Sequence, residues 1–77
     1  MTTETDHQKA TRAWDAVAEA RAVEERAIER LRRTQALLRM GAADEAEVAE
    51  AEAKRKAAYE AVLVATNAAE LRSRMAG

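Results

Sequence analysis

Cysteine, proline and phenylalanine are absent from this 77-residue chain, and glycine occurs only at Gly41 and Gly77. Without Cys there are no disulfides and no thiolate metal sites. Without Pro, and with one internal Gly, little interrupts a helix. Trp14 and Tyr59 are the only aromatic side chains, His7 the single histidine and Ser73 the single serine. The longest uncharged run of the helical region, residues 61–69, is far short of the roughly 20 residues a membrane-spanning helix needs. The start, Met-Thr-Thr-Glu-Thr-Asp, is acidic where a secretory signal would be basic, and no apolar run follows it. The expectation is a soluble, cytoplasmic protein with no membrane contact.

What is present favours long helices. Ala, Glu, Arg and Leu dominate, residues that lose little conformational freedom in a helix. The abundance of Ala and Arg points to a GC-rich bacterial or phage coding sequence. A net charge of -1 with 48% hydrophobic residues argues against disorder. At this size, however, a single core seldom stabilises a fold by more than a few kcal/mol without disulfides, metal or a partner chain. A partner is therefore expected.

Two helix starts and one stop are written in the chain. Thr5 with Gln8 and Asp44 with Glu47 have capping-box spacing, and Gly41 follows Arg39 and Met40 where a left-handed closing residue belongs. These signals predict helix 1 over about 6–40, a loop at 41–44 and helix 2 over about 45–74, in one domain of 77 residues. So short a loop forces an antiparallel hairpin, with facing residues whose numbers sum to about 85. That places Trp14 near Leu71, Val17 near Ala68 and Ile28 near Ala57.

Periodicity identifies the faces that want burial. On helix 1 the 3-4 series runs through Ala10, Ala13, Val17, Ala20, Glu24, Ala27, Leu31, Thr34 and Leu38, a coiled-coil seam broken in apolar character by Glu24 and Thr34. Helix 2 carries two stripes. One is Val48, Ala51, Arg55, Ala58, Val62, Ala65 and Ala69; the other is Ala57, Ala61, Val64, Ala68, Leu71 and Met75. One stripe satisfies helix 1 and the other is left without cover, as are Val23, Leu37 and Leu63 off the main seam. The architecture expected is all-α, a coiled-coil-like hairpin that assembles into a four-helix bundle as a homodimer or docks on a larger protein.

The charged residues mostly pair along the helices: Glu29 with Arg33, Glu50 with Lys54, Glu52 with Lys56 and Glu70 with Arg74 all have i, i+4 spacing. The exception is a band in which Arg30, Arg32 and Arg33 lie level with Lys54, Arg55 and Lys56, able to grip phosphates or an acidic protein patch. It supports an alternative reading as a helical-hairpin nucleic-acid-binding regulator. Against that reading stand the near-zero net charge, the neighbouring Glu29, Glu50 and Glu52, and the lack of interleaved aromatics.

Catalysis finds no footing. His7 sits in a helix-start turn, where a solvated residue is the ordinary case, and Glu24 is the one acid on the seam, suited to setting register rather than to a two-carboxylate site. No Gly-rich phosphate loop, nucleophile setting or zinc spacing occurs, so no cofactor, metal or small-molecule substrate is expected. Trp14 and Tyr59 are read as seam-filling or as binding anchors. With Leu63, Val64, Leu71 and Met75 they form the candidate protein interface. The function expected is a non-catalytic interaction or structural subunit: an assembly adaptor, an accessory subunit or a protein inhibitor.

Overall fold

Helix α1, Asp6–Arg39, begins where Thr5 leaves extended backbone and closes a complete capping box. The Gln8 N–H donates to Thr5 Oγ1 at 3.1 Å, and the Thr5 N–H donates to Gln8 Oε1 at 2.9 Å. Two donors with no partner inside the helix are thereby satisfied. The other end is closed by the two bonds of a Schellman motif: the Gly41 N–H donates to the Leu38 carbonyl at 3.0 Å and the Ala42 N–H to the Leu37 carbonyl at 2.8 Å. That closure requires a left-handed residue, which Gly41 supplies at φ 77°.

Helix α2, Glu45–Ala76, starts at Asp44, whose Oδ1 accepts from the Glu47 N–H at 2.8 Å. The return bond from the Glu47 side chain is not formed, so this cap is half of the box that the spacing predicts. A computed structural model of the chain describes residues 4–76; Met1, Thr2 and Thr3 of the acidic start, and Gly77, lie outside the described residues. Among the described residues there is no strand, and no helix is long and apolar enough to cross a membrane.

The two helices pack along their length as a hairpin with extents of 56 × 20 × 16 Å. The residues buried between them are Ala10, Val17, Ala51, Ala58 and Ala69, with Val17 only 2% and Ala69 0% exposed. Among the described residues no side chain larger than valine is enclosed. Small seam residues let helix axes approach toward the near end of the usual range of roughly 8–10 Å. They also remove little apolar area from water, about 0.8 kcal/mol per buried methyl-sized group.

The seam of α1 is the one its periodicity predicts, with Glu24, Ala27, Leu31, Thr34 and Leu38 half-buried on it. Thr34 needs no partner across the seam, because its hydroxyl donates to the Arg30 carbonyl one turn back at 2.8 Å. Of the two stripes on α2, the one through Ala51, Ala58 and Ala69 meets α1, and every residue of the other is exposed. The expected register shifts slightly as a result. Ala69 is buried where Ala68 is exposed, and Trp14 is set against Ser73 while Leu71 turns outward.

Candidate interaction surfaces

Each helix buries one stripe, so the hairpin has two flanks, one on either side of the seam. Their residues follow from helical spacing and from the hollows in the surface. On the first flank a groove of about 510 Å³ runs between the helices. Its lining is mainly alanine, Ala27, Ala51, Ala57, Ala58 and Ala61, with Val23 on the α1 side. Arg26 and Arg30 of α1 and Lys54 of α2 stand around it. Farther toward the open end of the hairpin, three- and four-residue steps from Ala57 and Ala61 carry this flank through Val64, Ala68, Leu71 and Met75. Val64 is 69% and Leu71 58% exposed. Leu37 and Val23 extend the same flank along α1.

The second flank holds the aromatics. Trp14 is 41% exposed, and its indole Nε1–H donates to Ser73 Oγ at 2.7 Å, bridging the helices near the open end. His7, Ala10, Thr11 and Ala76 line the hollow beside them. Tyr59 and Leu63 fall on this flank by helical spacing, and both are exposed. The six candidate interface residues are therefore all at the surface but do not form one patch: Trp14, Tyr59 and Leu63 share one flank, and Val64, Leu71 and Met75 the other. Sequence reasoning grouped them because it measured height along the hairpin and not direction around it.

The basic band divides in the same way. Arg30 and Lys54 come together across the groove, joined by Arg26, which the band did not include. Arg33 lies beside Arg30 on the outer side of α1, in a hollow shared with Arg26, Glu29 and Thr34. Arg55 is half-buried on the contact stripe and does not line the groove, and Arg32 and Lys56 fall on the aromatic flank. A second cation cluster, missed in the sequence, gathers at the open end of the first flank, where Lys9, Arg12 and Arg72 line one hollow with Ala13. Its signal is the long-range pairing of residue 12 with residue 72, readable only once the hairpin register is known.

Of the four helical ion pairs expected, Glu50–Lys54 closes, at 3.1 Å; among the described residues the other ion pair is Arg12 with Glu4. Both are exposed, worth at most about 1 kcal/mol each. Arg26 and Arg30 have no ion-pair partner among the described residues. Nor does any group of three His, Cys, Asp or Glu side chains there come close enough to hold a metal. Comparisons of the chain with protein-family models, with curated proteins and with solved structures each find no match.

The Trp14–Ser73 bond makes a modest claim on stability, because a half-exposed indole N–H regains water when its partner is lost. Ser73→Ala is expected to destabilise the protein by about 0.5–1 kcal/mol in chemical denaturation. A loss above about 3 kcal/mol would show that this bond closes a site far drier than the one described.

Proposed function

We propose that the protein is a small non-catalytic interaction or structural subunit, cytoplasmic, that presents helical surfaces to other chains. The observation that carries this reading is the mismatch between what the hairpin encloses and what it exposes. Among the described residues it buries one valine and four alanines, while nine large hydrophobic side chains stand at the surface. Its accessible surface is 5926 Å², where a compact monomer of its mass would expose about 4,700 Å². Its radius of gyration is 17.4 Å against about 11.5 Å for a globule of this length. The excess of about 1,200 Å² exceeds the roughly 800 Å² that each partner contributes to a standard interface.

The architecture proposed is a four-helix bundle formed with a second copy, which leaves the other flank for a larger protein. Self-association is assigned to the flank of Trp14, Tyr59 and Leu63. By helical spacing it carries Arg21, Arg32, Arg39 and Lys56 against Glu25, Glu45, Glu52 and Glu70, so that two copies meet without net repulsion. Aromatic side chains of this kind dominate many interfaces. The nucleic-acid reading has less support, since four of the six cations in its band do not line the groove.

Sedimentation at micromolar concentration, with tryptophan emission followed on dilution, tests this reading. The expected result is a helical species heavier than 8.5 kDa, whose emission shifts to the red as it dissociates. A cooperatively folded monomer with water-like emission at every concentration would overturn it.

A further inference from the structure

The apolar flank that the aromatics leave free carries more cations than anions. By helical spacing it bears Lys9, Arg12, Arg26, Arg30, Arg33 and Lys54. Glu4, Glu19, Glu29, Glu47 and Glu50 stand against them, Glu4 paired with Arg12 and Glu50 with Lys54, and with Arg72 added the flank keeps a surplus of cations in a chain whose overall charge is -1. The cations are clustered where the structure has hollows. Arg26, Arg30 and Lys54 surround the alanine-lined groove, and Lys9, Arg12 and Arg72 line the hollow at the open end. At 1.5 Å per residue the two clusters lie about 25 Å apart, with Val64, Ala68 and Leu71 between them.

From this arrangement, and resting on the reading of the protein as an interaction subunit, we infer that this flank is the docking site of an acidic amphipathic helix from a partner protein. The alanine lining admits a helix at close range, and Val64, Leu71 and Met75 give its apolar ridge something to cover. The guanidinium groups of Arg26 and Arg30, unpaired among the described residues, take carboxylates along one edge of that helix. A span of about 25 Å requires about 17 helical residues. A second copy is disfavoured here, because two faces with the same surplus of cations repel. Nucleic acid is disfavoured because a phosphate backbone leaves the apolar stretch between the clusters uncovered.

The test uses the full chain and two synthetic, fluorescently labelled helical peptides of about 20 residues. Both have the same Leu/Ala ridge; one carries Glu along its edges and the other Lys. Anisotropy titration should show the Glu peptide binding at least tenfold more tightly than the Lys peptide, and a half-length Glu peptide binding at least tenfold more weakly than the full one. Arg26→Glu with Arg30→Glu should reverse the preference. Ala53→Glu, on the outer side of α2 away from both flanks, should leave it within about twofold. Circular dichroism of each variant checks that helicity is kept.

Binding that is blind to peptide charge, or to the Arg26 and Arg30 changes, would overturn the inference. So would self-association that responds to Arg26→Glu with Arg30→Glu, which makes a second copy the occupant. Displacement of the peptide by an RNA or DNA duplex at physiological salt would overturn it in favour of phosphate. Of these outcomes only the self-association result also bears on the interface assigned to the aromatic flank, and a monomeric protein that still binds the Glu peptide would fail that assignment alone.

Discussion

Replacing Tyr59 and Leu63 together by glutamate is expected to weaken self-association by at least 100-fold. Both side chains stand about half exposed on the same flank as Trp14. Burying a large apolar side chain contributes about 1.5–3 kcal/mol, and each substitution removes that gain from both copies of a symmetric pair. A 100-fold change needs only about 2.7 kcal/mol, so the estimate is a lower bound. Sedimentation equilibrium over a range of concentrations measures it directly. Ala53→Glu serves as the control, since Ala53 is exposed and falls on the outer side of α2, away from both flanks. An unchanged dissociation constant for the Tyr59 and Leu63 variant would remove the aromatic flank from the interface.

The second large effect is expected inside the hairpin. Ala69 has no exposed surface and belongs to a seam whose other buried members are Ala10, Val17, Ala51 and Ala58. A leucine there has nowhere to go unless the helices separate, and overpacking of this kind costs about 1–3 kcal/mol. Ala69→Leu should therefore lower the denaturant midpoint, while Ala53→Leu should change stability by no more than about 0.5 kcal/mol. The comparison uses the same chemical substitution twice, so helix propensity cancels and spacing between the helices remains. Equal effects at the two positions would mean that α1 and α2 are not closely apposed at Ala69.

Much of the local structure was legible because its determinants are short-range. The spacing of Thr5 and Gln8 produced the full capping box, and Arg39-Met40-Gly41 produced the closing turn within a residue of its expected place. Asp44 also capped α2, though with one bond of the expected two. The seam of α1 followed from its 3-4 series through Ala10, Val17, Leu31 and Leu38, which runs the length of the helix. The four helical ion pairs were less well anticipated, since the rotamers of exposed long side chains are weakly held and only Glu50–Lys54 closed.

The surfaces were harder to read. The six cations of the basic band share a height along the hairpin, and height alone says nothing about direction around each helix. Arg55 landed on the seam, Arg32 and Lys56 on the aromatic flank, and Arg30 and Lys54 across the groove from each other. The cluster of Lys9, Arg12 and Arg72 joins residues from opposite ends of the chain, so no window of sequence contains it. Trp14 met Ser73 rather than Leu71 because the stripe of α2 that faces α1 is the one beside Ala69.

By itself, then, the sequence determined two long helices, their ends, an antiparallel hairpin and the face that α1 presents, because capping, propensity and a single apolar period act over a few residues each. The tertiary structure decided which stripe of α2 is buried. Both stripes are rich in alanine; the one through Ala51, Ala58 and Ala69 is buried, with Val48, Arg55 and Val62 half-buried on it, and Val64, Leu71 and Met75 of the other stay exposed. Every property of the outer surface follows from that choice: the separation of Trp14, Tyr59 and Leu63 from Val64, Leu71 and Met75, the alanine-lined groove, and the cationic flank around it. A rotation of α2 about its own axis changes all three while leaving each local signal in the sequence intact.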